Sequence, residues 1–95
     1  MPYRLSYLPA VFKDDWPRIN PGDRNRIRRA IEQRLTSEPS YYGEPLRHHL
    51  KGFWKLRVGD YRVIYRIEGS QVWIIRIGHR KEVYLLPVQR FLLRS

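Results

Sequence analysis

The sequence predicts an α+β domain in which an N-terminal strand and a C-terminal three-strand meander form an antiparallel sheet packed on two N-terminal helices. Three observations lead there. Apolar residues recur at helical spacing in the first half, alternation of period two takes over after Gly52, and short glycine-bearing turns interrupt the alternating part. Ninety-five residues make a single domain, 1–95, because a chain this short rarely supports two cores. A hydrophobic content of 42%, with three Trp, seven Tyr and three Phe, suffices for a packed interior.

Tyr3 to Tyr7 reads as the first strand. Leu8-Pro9 ends it and opens a helical segment from Ala10 to Trp16, with Phe12 and Trp16 four apart on one face, and Pro17 limits it. In Asn20-Pro21-Gly22-Asp23 the asparagine caps a second helix and proline takes its first position. That helix runs to about Thr36 on an apolar stripe of Ile27, Ala30, Ile31 and Leu35. Arg24, Arg26, Arg28, Arg29 and Arg34 stay mostly exposed, either as an RNA-binding surface or as an ordinary solvated face. Glu38 to Pro45 is a turn-rich joint, with Pro39, Gly43 and Pro45 as breakers. Phe53–Val58, Tyr61–Ile67 and Val72–Ile77 are the meander strands, joined at Gly59-Asp60 and Glu68-Gly69-Ser70, and Leu85 to Arg94 forms a last short helix. No repeat or low-complexity segment interrupts this order.

Side chains alternate across a strand, so the meander sorts into two faces. Trp54, Leu56, Val58, Tyr61, Val63, Tyr65, Ile67, Trp73, Ile75 and Ile77 share the apolar one. The other collects Lys55, Arg57, Arg62, Arg66 and Arg76, with Phe53, Ile64, Val72 and Ile74 among them. Every charge on that face is a cation. Like charges on neighbouring strands repel, so the arrangement weakens the sheet unless an anion fills the space.

The bulk charge points the same way. Residues 1–46 carry a net of +2 and residues 47–95 a net of +8, out of +10 in all. A polyanion experiences the second half as an attractive patch, and nucleic acid is the usual polyanion. The absence of cysteine excludes a disulfide framework and thiolate metal sites, and fits a reducing cytoplasm. The N-terminus from Met1 to Ser6 lacks the apolar run of a signal peptide, and no apolar stretch is long enough to cross a bilayer. His48-His49 lacks the spacing and companions of a metal site, so neither metal nor cofactor is expected.

Past the third strand comes Gly78-His79-Arg80-Lys81-Glu82-Val83-Tyr84. Glycine lets the backbone turn there, bringing Arg80 and Tyr84 to the rim of the cationic face. Arginine offers a planar fork for phosphate oxygens, tyrosine a stacking surface and a hydroxyl, and His79 a side chain that titrates near neutrality.

Leu50 to Ile67, reading LKGFWKLRVGDYRVIYRI, resembles the central signature of the RelE/ParE toxin superfamily, and Ile77 to Tyr84, reading IGHRKEVY, resembles the closing motif of its RelE branch. The resemblance implies a toxin of a toxin–antitoxin operon, neutralised by a cognate antitoxin through which it oligomerises. In the RelE branch it implies metal-independent cleavage of mRNA on the ribosome, by attack of a ribose 2′-hydroxyl on the adjacent phosphate. Lys55, Arg62, Arg80 and Tyr84 fall where RelE toxins keep their active-site residues; His79 is a candidate for proton transfer, and Lys51, Arg57, Arg66 and Arg76 for substrate binding. One position departs from the pattern. Several RelE nucleases have a second lysine two residues before the one matching Lys55, and here Phe53 stands there, with Lys51 two further back. The competing expectations are a ParE-like inhibitor of DNA gyrase and an inactive relative that only holds phosphates.

Overall fold

The structure is a computed structural model that describes residues 2–85 and 87–93. Strand β1 (Arg4–Tyr7) leads into a π-helical turn, Val11–Asp15, and a 3-10 turn, Trp16–Arg18. Helix α1 (Pro21–Ala30) begins as expected, with the Asn20 side chain accepting a hydrogen bond from the Gly22 amide at 3.0 Å. It continues as a π turn through Ile31–Leu35.

The turn-rich joint holds two elements that its breakers concealed, a one-turn helix α2 (Pro39–Tyr42) and a two-residue strand β2 (Glu44–Pro45). The meander follows as β3 (Trp54–Val58), β4 (Tyr61–Glu68) and β5 (Gln71–His79), turning at Gly59 and Gly69, each with φ +61. The tail helix α3 is shorter than expected, Pro87–Leu92, and Arg94 lies outside the described residues.

The five strands lie in the order β1-β5-β4-β3-β2. The meander is antiparallel, but β1 pairs with β5 in parallel, which corrects the expectation of a wholly antiparallel sheet. A three-strand meander leaves its last strand running in the direction of its first, and β1 shares that direction. No helix of the described residues is long and apolar enough to cross a membrane.

A second correction concerns β5. Ile64 stands opposite Arg76, whereas the next residue, Tyr65, stands opposite Ile74, so Ile75 is the surplus residue of a bulge. Beyond it the faces exchange. Val72 and Ile74 lie with Tyr65 and Ile67 on the apolar face, and Trp73 moves opposite Arg66 on the cationic one. A bulge shifts parity without altering composition, which is why strict alternation missed it.

The main core fills the space between the apolar face and the helices. Ile27, Ile31 and Leu35 of the helical arm are buried together with Leu56, Val63, Tyr65 and Ile74 of the sheet. Tyr65 is fully buried, and its hydroxyl donates to the Pro39 carbonyl at 2.5 Å, tying β4 to the start of α2. Gly43 makes room for it, since a Cβ there would overlap the phenol oxygen. Burial holds the Tyr65 phenol well above its ordinary value of 10.0.

The cationic face is not open along its length. After β5 the chain folds back, Val83 packs on Gly78, and Phe91 of α3 meets Phe53 edge to face at 5.7 Å. Ile64 and Val83 are fully buried beneath this cover. The cover is fastened by Asp15, 5% exposed, whose carboxylate takes both Arg90 Nη1 and Nη2 at 2.6 and 2.9 Å. The same carboxylate accepts the Ile77 amide at 2.9 Å and lies 3.7 Å from Arg76 Nη1.

Removing one partner of a buried ion network leaves the other charges uncompensated. Asp15→Ala is expected to lower unfolding free energy by about 3–5 kcal/mol. Asp23→Ala, which breaks the exposed pair with Arg26, is expected to cost at most about 1 kcal/mol. Equal shifts of the urea midpoint in the two variants would contradict this account. The Tyr65 phenol adds an alkaline limit. Its folded pKa is raised, so its contribution is complete below the unfolded value of 10.0 and drains away as pH climbs above it. Tyr65→Phe is expected to flatten the fall of stability above that pH in urea titrations.

Candidate functional site

The cover divides the predicted cations into two groups. Lys55, Arg57 and Arg62 remain on the uncovered part, where β3 and β4 place Lys55 opposite Ile64 and Arg57 opposite Arg62. Arg57 is exposed and Lys55 half-buried. Arg62 is only 7% exposed, because its guanidinium folds over the hairpin and Nη1 donates to the Gly59 and Tyr61 carbonyls at 3.0 and 2.9 Å. Those two bonds fix the plane of the fork. Among the described residues, its Nε and Nη2 hydrogens meet no acceptor and remain for an anion.

The closing motif reaches the same place by a different route from the one expected. Gly78 does not make the turn: it sits inside β5 opposite Arg62, and an added Cβ would meet Val83 at an ordinary 3.6 Å. The turn lies one residue on, where the His79 carbonyl accepts the Glu82 and Val83 amides, both at 3.0 Å. The Arg80 amide donates to the Asp60 carbonyl at 2.9 Å, so Arg80 leaves the sheet beside the hairpin that Arg62 caps. Tyr84 then comes back over β3, half-buried, with its ring centroid 6.0 Å from Lys55 Nζ. Lys55, Arg57, Arg62, Arg80 and Tyr84 thus converge on one end of the sheet.

Three predicted residues lie elsewhere, and one stands at the margin. His79 shares the face of Ile77 and Tyr61, opposite to Lys55 and Arg62, and its ring meets Tyr61 edge-on at 6.3 Å. Its Nδ1 accepts the Lys81 amide at 3.3 Å. Strand alternation puts His79 on the far side of the sheet from Lys55 and Arg62. Arg76 is on the expected face but buried; its Nη2 reaches the Glu82 carbonyl at 3.4 Å, Nη1 faces Asp15, and Nε has no partner. Burial pulls its pKa below the ordinary value and Asp15 pulls it back. Arg66 stacks on the aromatic cover, 5.3 Å from the Phe53 centroid and 4.8 Å from that of Phe91, and its Nε lies 3.8 Å from Glu68. Arg76 is thus engaged with Asp15, and Arg66 lies on the rings of the cover with part of its side chain exposed. Lys51 is exposed in the loop before Gly52, ahead of β3.

The open site consists of three arginines, one lysine and a tyrosine, with no imidazole among them, and β2 places Glu44 opposite Lys55 at its edge. Such a set neutralises negative charge and offers one ring to a base. Asp15 and Arg90, which decide how much of the face stays open, carried no signal in the sequence: Asp15 is the second of two adjacent aspartates after Lys13, Arg90 lies in the tail, and they stand 75 positions apart.

Comparison with known proteins agrees with this architecture. The model of the family described as ParE toxin of type II toxin–antitoxin system, parDE, matches residues 8–84. Over 52 residues the chain is 44% identical to toxin RelG and 42% identical to toxin RelE, both of Mycobacterium tuberculosis. Each match takes in 53% of this chain, and it spans 60% of the first relative and 54% of the second. The crystal structure of the M. tuberculosis toxin–antitoxin complex RelBE2 superimposes with a TM-score of 0.77 at 30% identity, over 86% of this chain and 95% of that one. A mutant of Escherichia coli toxin RelE in the free state shares the fold, with a TM-score of 0.74 at 21% identity, over 95% of this chain and 98% of that one. The family match from Leu8 to Tyr84 takes in every strand of the meander and the whole convergent site, and the chain belongs to the ParE toxin family of type II toxin–antitoxin systems, within the RelE/ParE superfamily.

Proposed function

We propose that this toxin is a ribosome-dependent mRNA endoribonuclease, held inactive by an antitoxin protein that covers its cationic face. The observation that carries the reading is the placement of Lys55 Nζ 6.0 Å from the Tyr84 ring, on the face that also presents Arg57 and Arg62. In the proposed reaction the 2′-hydroxyl oxygen bonds to phosphorus, the bond to the 5′ oxygen breaks, and a cyclic phosphate and a 5′-hydroxyl result. The phosphorane on the way carries more negative charge than the substrate, so preplaced cations favour it over the ground state.

Arg62, its fork fixed by the hairpin carbonyls, and Arg80 beside it hold the scissile phosphate. Lys55 neutralises the charge that develops, and Tyr84 stacks on or orients a base. With His79 on the far face and Phe53 in the aromatic cover, the site works by charge stabilisation, and proton transfer falls to solvent, the ribosome or Lys55 itself.

The M. tuberculosis structural neighbour is a toxin–antitoxin complex, which supports an antitoxin partner here. An antitoxin with acidic segments matches a face on which cations predominate, with Glu44 opposite Lys55 and Glu68 beside Arg66 as its carboxylates. The product of an adjacent small reading frame is expected to co-purify with the chain, and harmless expression of the chain alone would count against the toxin reading.

Purified protein on programmed ribosomes is expected to cut mRNA at codon-linked positions. Lys55→Ala and Arg80→Ala are expected to slow cutting by about 100-fold or more while leaving thermal unfolding near that of the parent. His79→Ala is expected to lose less than about tenfold, where removal of a general acid or base costs about 10²–10⁴. The ParE type of the matched family model favours a second reading, inhibition of DNA gyrase. Inhibited supercoiling with uncut mRNA would replace the first reading with the second, and neither activity would leave a phosphate-binding relative.

A further inference from the structure

Helix α1 carries more positive charge than the proposed site uses, and its arginines are not evenly solvated. Arg26, Arg29, Gln33 and Arg34 line one wall of a groove of about 380 Å³, whose other wall holds Arg57 and Gly59 of the β3–β4 hairpin. The groove exists because β2 is so short. It pairs only with Trp54 and Lys55, so the rest of the β3 edge has no strand beside it. Arg26 lies against Gly59, where a Cβ would stand 2.5 Å from its Nη2.

Arg26 has Asp23 at 3.1 Å, but Arg29, Arg34 and Arg57 form no ion pair among the described residues. At one end of the groove Arg34 lies 5.9 Å from the Tyr42 ring, which meets Tyr41 edge to face at 5.1 Å. Tyr41 and Tyr42 are 74% and 46% exposed, large aromatic surfaces that no core contact accounts for.

Unpaired cations in a groove ending at exposed rings are what a single-stranded nucleic acid requires: phosphates follow the charges and a base stacks at the end. A carboxylate peptide would use the arginines and leave the rings without a role. Arg57 belongs both to this groove and to the cationic face, so the two surfaces are continuous around the β3 edge.

We propose that the groove is a second binding segment for single-stranded RNA, entered from the cationic face at Arg57, lined by Arg29 and Arg34, and closed by a base stacked on Tyr41, whose ring Tyr42 props edge to face. This rests on the RNA reading of the preceding section and extends it from cleavage to the path of the strand. Arg29, Arg34 and Tyr41 are exposed, so their alanine variants leave the core intact.

The test is fluorescence anisotropy with labelled oligouridylates of ~4 and ~12 nucleotides, the range one such surface covers. Arg29→Ala/Arg34→Ala is expected to weaken the longer oligomer on the order of tenfold, to reduce its salt slope by about 1.4, and to leave the shorter within about twofold. Tyr41→Ala is expected to weaken the longer oligomer about tenfold with the salt slope unchanged. Equal loss at both lengths, no loss at either, or loss of polyglutamate binding alone would overturn the groove. If the parent cuts mRNA on ribosomes while its groove variants bind as the parent does, the groove alone is overturned. If the parent neither binds these oligomers nor cuts mRNA, the RNA reading is overturned with it.

Discussion

The arrangement of this domain depends on one carboxylate. Asp15 leaves the first helical turn at the edge of β5, beyond the point where β1 stops pairing, and takes the amide of Ile77 that the sheet leaves free. In that position it also receives the guanidinium of Arg90 from the C-terminal helix and faces Arg76 from the sheet. A buried carboxylate is costly unless its oxygens are fully engaged, and here a backbone amide and a bidentate arginine engage them. The consequence is geometric. α3 is anchored across half of the cationic face, and the ring of Phe91 is set against Phe53.

That anchoring sorts the cations. Arg76 compensates Asp15, and Arg66 lies flat on two rings, where its guanidinium covers apolar surface. Neither can move to a phosphate without exposing what it covers. The remaining cations are held close together by elements that do not neutralise them. Arg57 stands directly opposite Arg62, a pairing that weakens an antiparallel ladder, and no carboxylate of the described residues bridges them. The hairpin carbonyls fix Arg62 without removing its charge. A fold that tolerates such repulsion at its surface gains affinity for any anion that relieves it.

Much of this was legible in the sequence because it follows from local periodicity. The Asn20 cap, the stripe from Ile27 to Leu35 and the glycine hairpins obey rules with a range of a few residues. The cationic side of β3 and β4 followed from alternation alone. What escaped depends on residues far apart. Ile75 shifts the parity of β5 without a change of composition, β2 exists only because β3 is beside it, and the parallel partner of β1 lies 67 residues further along the chain. His79 was misplaced for a related reason: the motif that contains it spans the end of a strand, and alternation carries on through Gly78 before the turn begins. The aromatic pair Tyr41–Tyr42 sits in a segment whose prolines and glycine read as a loop.

Family membership and site chemistry constrain the function at different depths. A match from residue 8 to 84 reports a shared frame of strands, helices and buried contacts, and a frame hosts more than one activity. The difference between a nuclease and an inhibitor of another protein lies in a few exposed side chains. Protein-binding surfaces are centred on apolar or aromatic anchors that become desolvated. The open end of this sheet has no exposed aliphatic centre, although arginine and tyrosine also anchor protein interfaces. It offers Lys55, Arg57, Arg62 and Arg80, with the half-buried Tyr84 ring beside the lysine. Aliphatic surface is exposed elsewhere, at Leu85, Leu92 and Leu93 of the C-terminal segment. A phosphodiester needs cations and a stacking surface and makes no use of a greasy anchor. On that physical distinction, the convergent end of the sheet is chemically suited to a phosphodiester, and the side chains there, not the shared frame, are what distinguish the two readings.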